Sequence, residues 1–243
     1  MTDLPNSLKQ TLHNEALRIN SLEMGEVLTS SDGTRKLLFT CEDGLKIESV
    51  LIPMEDRFSL CISSQVGCAL GCRFCLTGTM GLKRNLNNHE IVDQVLLAAR
   101  LLGEKPRNIV FMGMGEPLAN LDNLIDAIGV LTHPDGLAYP KHRITVSTAG
   151  LVPQIGKFGE AKTGCGLAVS LSASNDETRT SLMPVNARWP IAELVKAIKE
   201  YPSPRRERTT LEYVMLFGIN DSPENAVELA RLLRGARVKV NLI

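Results

Sequence analysis

Six short runs rich in Val, Ile, Leu and Thr alternate with amphipathic segments from residue 57 onward, and this alternation limits the possible folds more than any other feature. The runs lie at 57–62, 107–112, 142–147, 166–171, 209–216 and 237–243; helical patterns fill 88–102, 120–132, 151–159, 189–200 and 223–234. In 88–102, Ile91, Val92, Val95, Leu96 and Ala99 fall on one face, and Asn87 followed by Glu90 has the form of a capping box. Leu121, Leu124, Ile125, Ile128 and Leu131 repeat the pattern, and Ser222-Pro223 marks a further helix start. A helix between two strands returns the chain to the same end of the sheet, so the strands pair in parallel through right-handed crossovers. Periodicity does not say whether such a sheet closes. Ahead of it, 6–20 reads as a weak helix, and strands near 25–30, 35–41 and 45–52 are joined by Asp32-Gly33 and Asp43-Gly44 turns. The expected division is therefore 1–56, a helix and β-meander, and 57–243, an α/β core.

The loop after the first core strand carries Cys68, Cys72 and Cys75 in a C-x3-C-x2-C spacing. Three thiolates on one short loop can hold three irons of a [4Fe–4S] cube and leave the fourth open to a small molecule. A structural zinc site is the alternative, but zinc takes four closed ligands, usually as two pairs, and no second pair stands nearby. The spacing, with Phe74 just before the third Cys, resembles the radical S-adenosylmethionine (SAM) superfamily. That resemblance implies a partial (β/α)6 barrel with its chemistry at the C-terminal ends of the strands. It also implies a [4Fe–4S] cluster and SAM as cofactors, with Phe74 beside the adenine. Gly115-Glu116 follows the second core strand, where glycine lets the backbone approach a ligand and Glu116 can accept from the SAM ammonium. Ser147 ends the third strand, and Ser170, Leu171 and Ser172 end the fourth, within reach of ribose and carboxylate. A bare Ser is more often an ordinary turn residue.

Longer runs narrow the resemblance. They are Cys61-Ile62-Ser63-Ser64-Gln65-Val66-Gly67-Cys68, Gly81-Leu82-Lys83-Arg84-Asn85-Leu86, Met112-Gly113-Met114-Gly115-Glu116-Pro117-Leu118, Arg143-Ile144-Thr145-Val146-Ser147-Thr148-Ala149-Gly150 and Glu212-Tyr213-Val214-Met215-Leu216. Together they resemble the RlmN/Cfr family of radical SAM RNA methyltransferases, from about residue 30 to Ile243. The resemblance implies methylation at C2 of an adenine in 23S rRNA and in tRNA, with some relatives acting at C8. C2 is not nucleophilic, so an ordinary methyl transfer fails there and a radical is needed. By position, Cys61 matches the thiol that resolves the protein–RNA crosslink as a disulfide, and Glu48 matches the base that removes the C2 proton. Read from the residues alone, Cys61 is equally a buried strand thiol and Glu48 a solvent-facing strand residue. The resemblance further implies 23S rRNA and tRNA as partners, an electron donor such as flavodoxin, and a monomer.

Two departures stand out. Ser172 replaces the His usual in the family. The run Val238-Lys239-Val240-Asn241-Leu242-Ile243 ends where the family continues to a methyl-carrying Cys, so the expectation is a fragment, with Cys165 and Cys41 no substitute. Composition agrees with a cytoplasmic enzyme: six cysteines in 243 residues make no disulfide scaffold, and neither a signal-peptide pattern nor a membrane-length apolar run is visible. With 27 basic and 27 acidic residues, affinity for RNA has to come from local clusters. Candidates are Lys83-Arg84, Lys141-His142-Arg143, Arg205-Arg206-Glu207-Arg208, and the set Arg231, Arg234, Arg237 and Lys239, although a solvated surface explains each as well. Alternative functions are another radical SAM enzyme, such as a glycyl-radical activase, and a non-catalytic RNA- or zinc-binding protein.

Overall fold

A computed structural model of the chain describes residues 5–14, 20–55, 57–203 and 208–243, with only the backbone of 12–14. Helix α1 (Asn6–Asn14) covers the first part of the expected 6–20 helix, whose remainder lies mostly outside the described residues. Strands β1 (Glu23–Thr29), β2 (Arg35–Thr40), β3 (Lys46–Met54) and β4 (Arg57–Cys61) form an antiparallel meander. Its first two turns are set by local chemistry. Asp32 accepts from the Thr34 amide at 2.9 Å and Asp43 from the Leu45 amide at 3.1 Å, while Gly33 and Gly44 take left-handed backbones.

Strand β4 belongs to both halves of the chain. It pairs antiparallel with β3 on one side and parallel with the first crossover strand on the other, so one sheet runs through residue 57. After β4 come β5 (Gln65–Gly67), α2 (Leu76–Thr79), β6 (Leu82–Asn85) and α3 (Asn88–Leu102). Then follow β7 (Asn108–Phe111), α4 (Leu121–Thr132), β8 (Ile144–Thr148), α5 (Val152–Glu160) and β9 (Gly166–Ser170). The chain ends with α6 (Asp176–Leu182), α7 (Ile191–Glu200), β10 (Thr209–Tyr213), α8 (Pro223–Leu232) and β11 (Val238–Leu242). The sheet order is β1-β2-β3-β4-β7-β8-β9-β10-β11, with β4 and β7 to β11 mutually parallel, as a partial (β/α)6 barrel requires. The short β5–β6 hairpin stands apart from it.

Strand alternation separates two faces. Leu60, Ile109, Phe111, Ile144, Val146, Val169 and Leu211 are fully buried in the core that the flanking helices cover. The opposite, concave face mixes polar and small apolar side chains. Register aligns Ser59 with Asn108, Cys61 with Val110 and Thr145, Ser147 with Ala168, and Ser170 with Glu212 and Asn241. The last unit packs thinly: α8 buries no residue, and Val240, Leu242 and Ile243 are exposed. Such an apolar edge is open to further pairing. Among the described residues, no helix is long and apolar enough to cross a membrane.

Candidate active site

Above the C-terminal strand ends lies a cavity of about 270 Å³. Cys68, Cys72, Phe74 and Cys75 form one wall; Gly115 and Glu116 after β7, Ser147, Thr148 and Ala149 at the end of β8, and Ser170 at the end of β9 form another. Glu212 and Val214 close the far side.

Buried side chains from distant segments shape the cysteine loop. Gln94 of α3, fully buried, accepts from the Ser63 amide and the Ser49 hydroxyl at 2.8 Å each and donates to the Ser63 carbonyl at 2.9 Å. Asn120 donates to the carbonyls of Ser64 and Leu86 at 2.9 and 2.7 Å. These amides satisfy main chain that no regular ladder pairs as the chain leaves β4. Gly67 has φ of 77°, and a Cβ there would stand 1.9 Å from the Gly81 carbonyl oxygen, so only glycine allows the β5–β6 hairpin to close under the loop. Leu70 and Cys72 pack on Leu151, Leu182, Met183 and Val185, and the Arg73 amide donates to the Leu182 carbonyl at 2.9 Å. Burial pushes the Cys72 thiol up to about 11 and raises Cys68 as well.

Gly115 makes a second close approach: with φ of 98°, its Cβ would stand 2.5 Å from Cβ of Gln65. Gln65 accepts from the Glu116 amide at 2.8 Å, which fixes this turn against the hairpin. The Glu116 carboxylate caps the 3-10 turn Pro117–Asn120 through the Leu118 amide at 3.0 Å and accepts from the Ala149 amide at 2.7 Å. It therefore ties the end of β7 to the end of β8. Burial raises its pKa to about 7 against three hydrogen bonds that lower it, so at neutral pH the group stands near its own midpoint.

Arg179 performs the matching task between β8 and β9. Its guanidinium is fully buried and donates to the carbonyls of Ala149, Ser170 and Leu171 at 2.7, 2.9 and 3.1 Å and to the Asn186 side chain at 2.9 Å. Burial lowers its pKa to about 10, which leaves it protonated at neutral pH. Its charge lies within electrostatic reach of Cys72. Asn220 does the same for the next corner, donating to the carbonyls of Ser172 and Val214 at 2.7 and 2.8 Å.

The expected SAM-contact residues divide at this point. Phe74, Gly115, Glu116, Ser147 and Ser170 line the cavity. Leu171 and Ser172 do not: Leu171 is fully buried in the outer core, because alternation turns it away from Ser170. Ser172, also fully buried, takes φ of 51° and accepts from the Val214 amide at 3.4 Å. Glu212 lines the cavity and accepts from Asn241 at 2.7 Å, a contact between β10 and β11 that periodicity could not reveal. Glu48 and Cys61 lie on the concave face, with Cys61 opposite Val50 and Glu48 two residues along the same side of β3. Neither reaches the 270 Å³ cavity. Glu48 faces Lys36 at 3.2 Å, and burial pushes the Cys61 thiol up to about 11.

A family model described as "Radical SAM superfamily" matches residues 62–230. The chain is 53% identical over 244 residues to "Dual-specificity RNA methyltransferase RlmN" of Geobacter sulfurreducens, an alignment that covers 100% of this chain and 66% of that relative. It is 52% identical to the protein of the same name from Geotalea uraniireducens, again over 100% of the chain and 70% of the relative. The chain belongs to the RlmN family of the radical SAM superfamily. It spans 66% to 70% of the length of these relatives. A crystal structure of a radical SAM methyltransferase from Sphaerobacter thermophilus matches with a TM-score of 0.92 at 46% identity, over 99% of this chain and 72% of that one.

Radical SAM proteins use a [4Fe–4S] cluster and SAM, and the donor set here fits that pair. Three thiols from one loop face a single cavity and leave its other walls for a small ligand.

Proposed function

We propose that this chain supplies the radical SAM core for methylation of C2 of adenine in 23S rRNA and tRNA. The observation that carries the reading is a cavity lined by all three cysteines of the loop, in a chain 53% and 52% identical over its whole length to dual-specificity RNA methyltransferases RlmN. In this reading Cys68, Cys72 and Cys75 would hold the cluster, and the chemistry supplied by the bound group would be the one-electron reduction that cleaves SAM. Phe74 covers one side of the SAM, and Ser147 and Ser170 offer hydroxyls to it. Gly115 and Glu116 hold its amino-acid end, where two amides already orient the carboxylate. Glu48 would take the proton from C2, and the Cys61 thiolate would attack the sulfur of the methyl-carrying Cys, so that the S–S bond forms as the bond from that sulfur to the RNA-bound carbon breaks. Burial of Cys61 keeps it a neutral thiol until then. A cytoplasmic protein, monomeric and served by a donor such as flavodoxin, belongs to the same reading.

The test is genetic and chemical. Deleting the gene for this chain in its source organism should remove 2-methyladenosine from digested 23S rRNA and tRNA, read by mass spectrometry. Retention of 2-methyladenosine at the parent level would contradict the assignment. Loss of 8-methyladenosine instead would move the chemistry to C8.

A further inference from the structure

At the end of the barrel away from the cysteine loop, three strand starts bring together cations that are far apart in sequence. A cavity of about 180 Å³ is lined by Arg57 at the start of β4, Lys105 and Arg107 ahead of β7, and Arg143 at the start of β8, with Tyr139 on its wall. Among the described residues no carboxylate lines it. Glu104 stands 3.9 Å from Arg57, with both side chains about half exposed (52% and 49%), a geometry that contributes little. The walls are fixed. The Tyr139 hydroxyl donates to the Pro106 carbonyl at 2.9 Å, Lys105 Nζ donates to the Leu137 carbonyl at 2.7 Å and sits 5.7 Å over the Tyr139 ring, and Arg143 donates to Asn108 at 3.2 Å. Lys141, next in sequence to Pro140 of the wall, is exposed.

In a chain of zero formal net charge, four cations around one cavity are a local departure, of the sign that attracts an anion. Three of the four are guanidinium groups, suited to phosphate oxygens, and the cavity is an open surface bay, which suits a phosphodiester on a continuing backbone. We propose that this bay binds backbone phosphates of the RNA substrate, outside the reacting nucleotide. The proposal rests on the RNA-methylating reading given above. Strands of five residues at about 3.3 Å each separate the bay from the SAM cavity by roughly 15–20 Å, so it holds flanking RNA and contributes affinity without touching the reaction.

The experiment measures binding of a fluorescein-labelled hairpin RNA to the full chain across a salt series. The Arg57→Gln/Arg107→Gln double variant should bind more weakly, and the slope of log affinity against log salt should flatten by about 1.5, since each phosphate contact contributes roughly 0.7–0.9. Each single variant should flatten it by about half as much. Lys196→Gln/Lys199→Gln, which removes the same charge from the exposed face of α7, should leave the slope unchanged. Equal slopes for the parent and the double variant would overturn the bay while leaving the RNA reading standing. Absence of RNA binding by the parent would overturn both. If millimolar inorganic phosphate raises the melting temperature of the parent and not of the double variant while the RNA slopes agree, the bay takes free phosphate and the RNA assignment is wrong.

Discussion

Replacing Cys68, Cys72 or Cys75 with Ala should lower the iron and sulfide bound after anaerobic reconstitution from about four of each per chain to near background, as three-thiolate ligation of a cube requires. The effect is large because no nearby group can substitute. Cys61 is buried on the concave face and lines no part of the cavity, and Cys41 and Cys165 are buried elsewhere in the core. Cys41→Ala and Cys165→Ala should therefore keep the full iron content. Loss of iron from either control, or a single zinc without sulfide in the parent, would contradict the assignment of the loop.

Arg179→Met should destabilise the chain by roughly 3 kcal/mol, although it removes a costly buried charge. Three carbonyls at the ends of β8 and β9 and the Asn186 side chain share this guanidinium. Methionine fills similar volume but offers no donor to these four acceptors, and each buried acceptor left orphaned costs about 1–3 kcal/mol. Relief of desolvation offsets part of that loss. In a domain of this size the net change corresponds to a fall in melting temperature of roughly 6–12 °C. Arg179→Lys keeps the charge but cannot reach four diverging acceptors, so it should fall between. A melt of Arg179→Met within a degree of the parent would show that the strand ends hold themselves.

The residues that made the fold readable were those whose signals are local. The Asp-Gly turns of the meander, the Asn87–Glu90 cap and the apolar stripe of α3 each depend on neighbours within a few positions, and each appears where expected. The β5–β6 hairpin was not readable. Its strands have three and four residues, too short for alternation to register, and Gln94 and Asn120, remote in sequence, hold the chain around it. Arg179 sits in Asp176-Glu177-Thr178-Arg179, which reads as an exposed helix start; only tertiary packing buries it.

The same limit applies within the candidate site. Ser170 and Leu171 are adjacent, but alternation sends one into the cavity and the other into the outer core. Arg84, read in sequence as part of a basic cluster, is committed to Glu90 through two 2.8 Å bonds and to Asp43, so it links the meander turn to α3 and has little to offer a phosphate. Arg57, Lys105 and Arg107 form no basic run in the sequence, because separate strand starts bring Arg57 beside the other two. Of the basic clusters, residues 205–207 lie outside the described residues.

The most direct test of the account is whether the reconstituted chain, reduced with dithionite, converts SAM to methionine and 5′-deoxyadenosine. The account predicts 5′-deoxyadenosine from the parent chain and none from Cys72→Ala. Its absence from a parent chain that carries a full complement of iron and sulfide would contradict the assignment of this cavity to radical SAM chemistry.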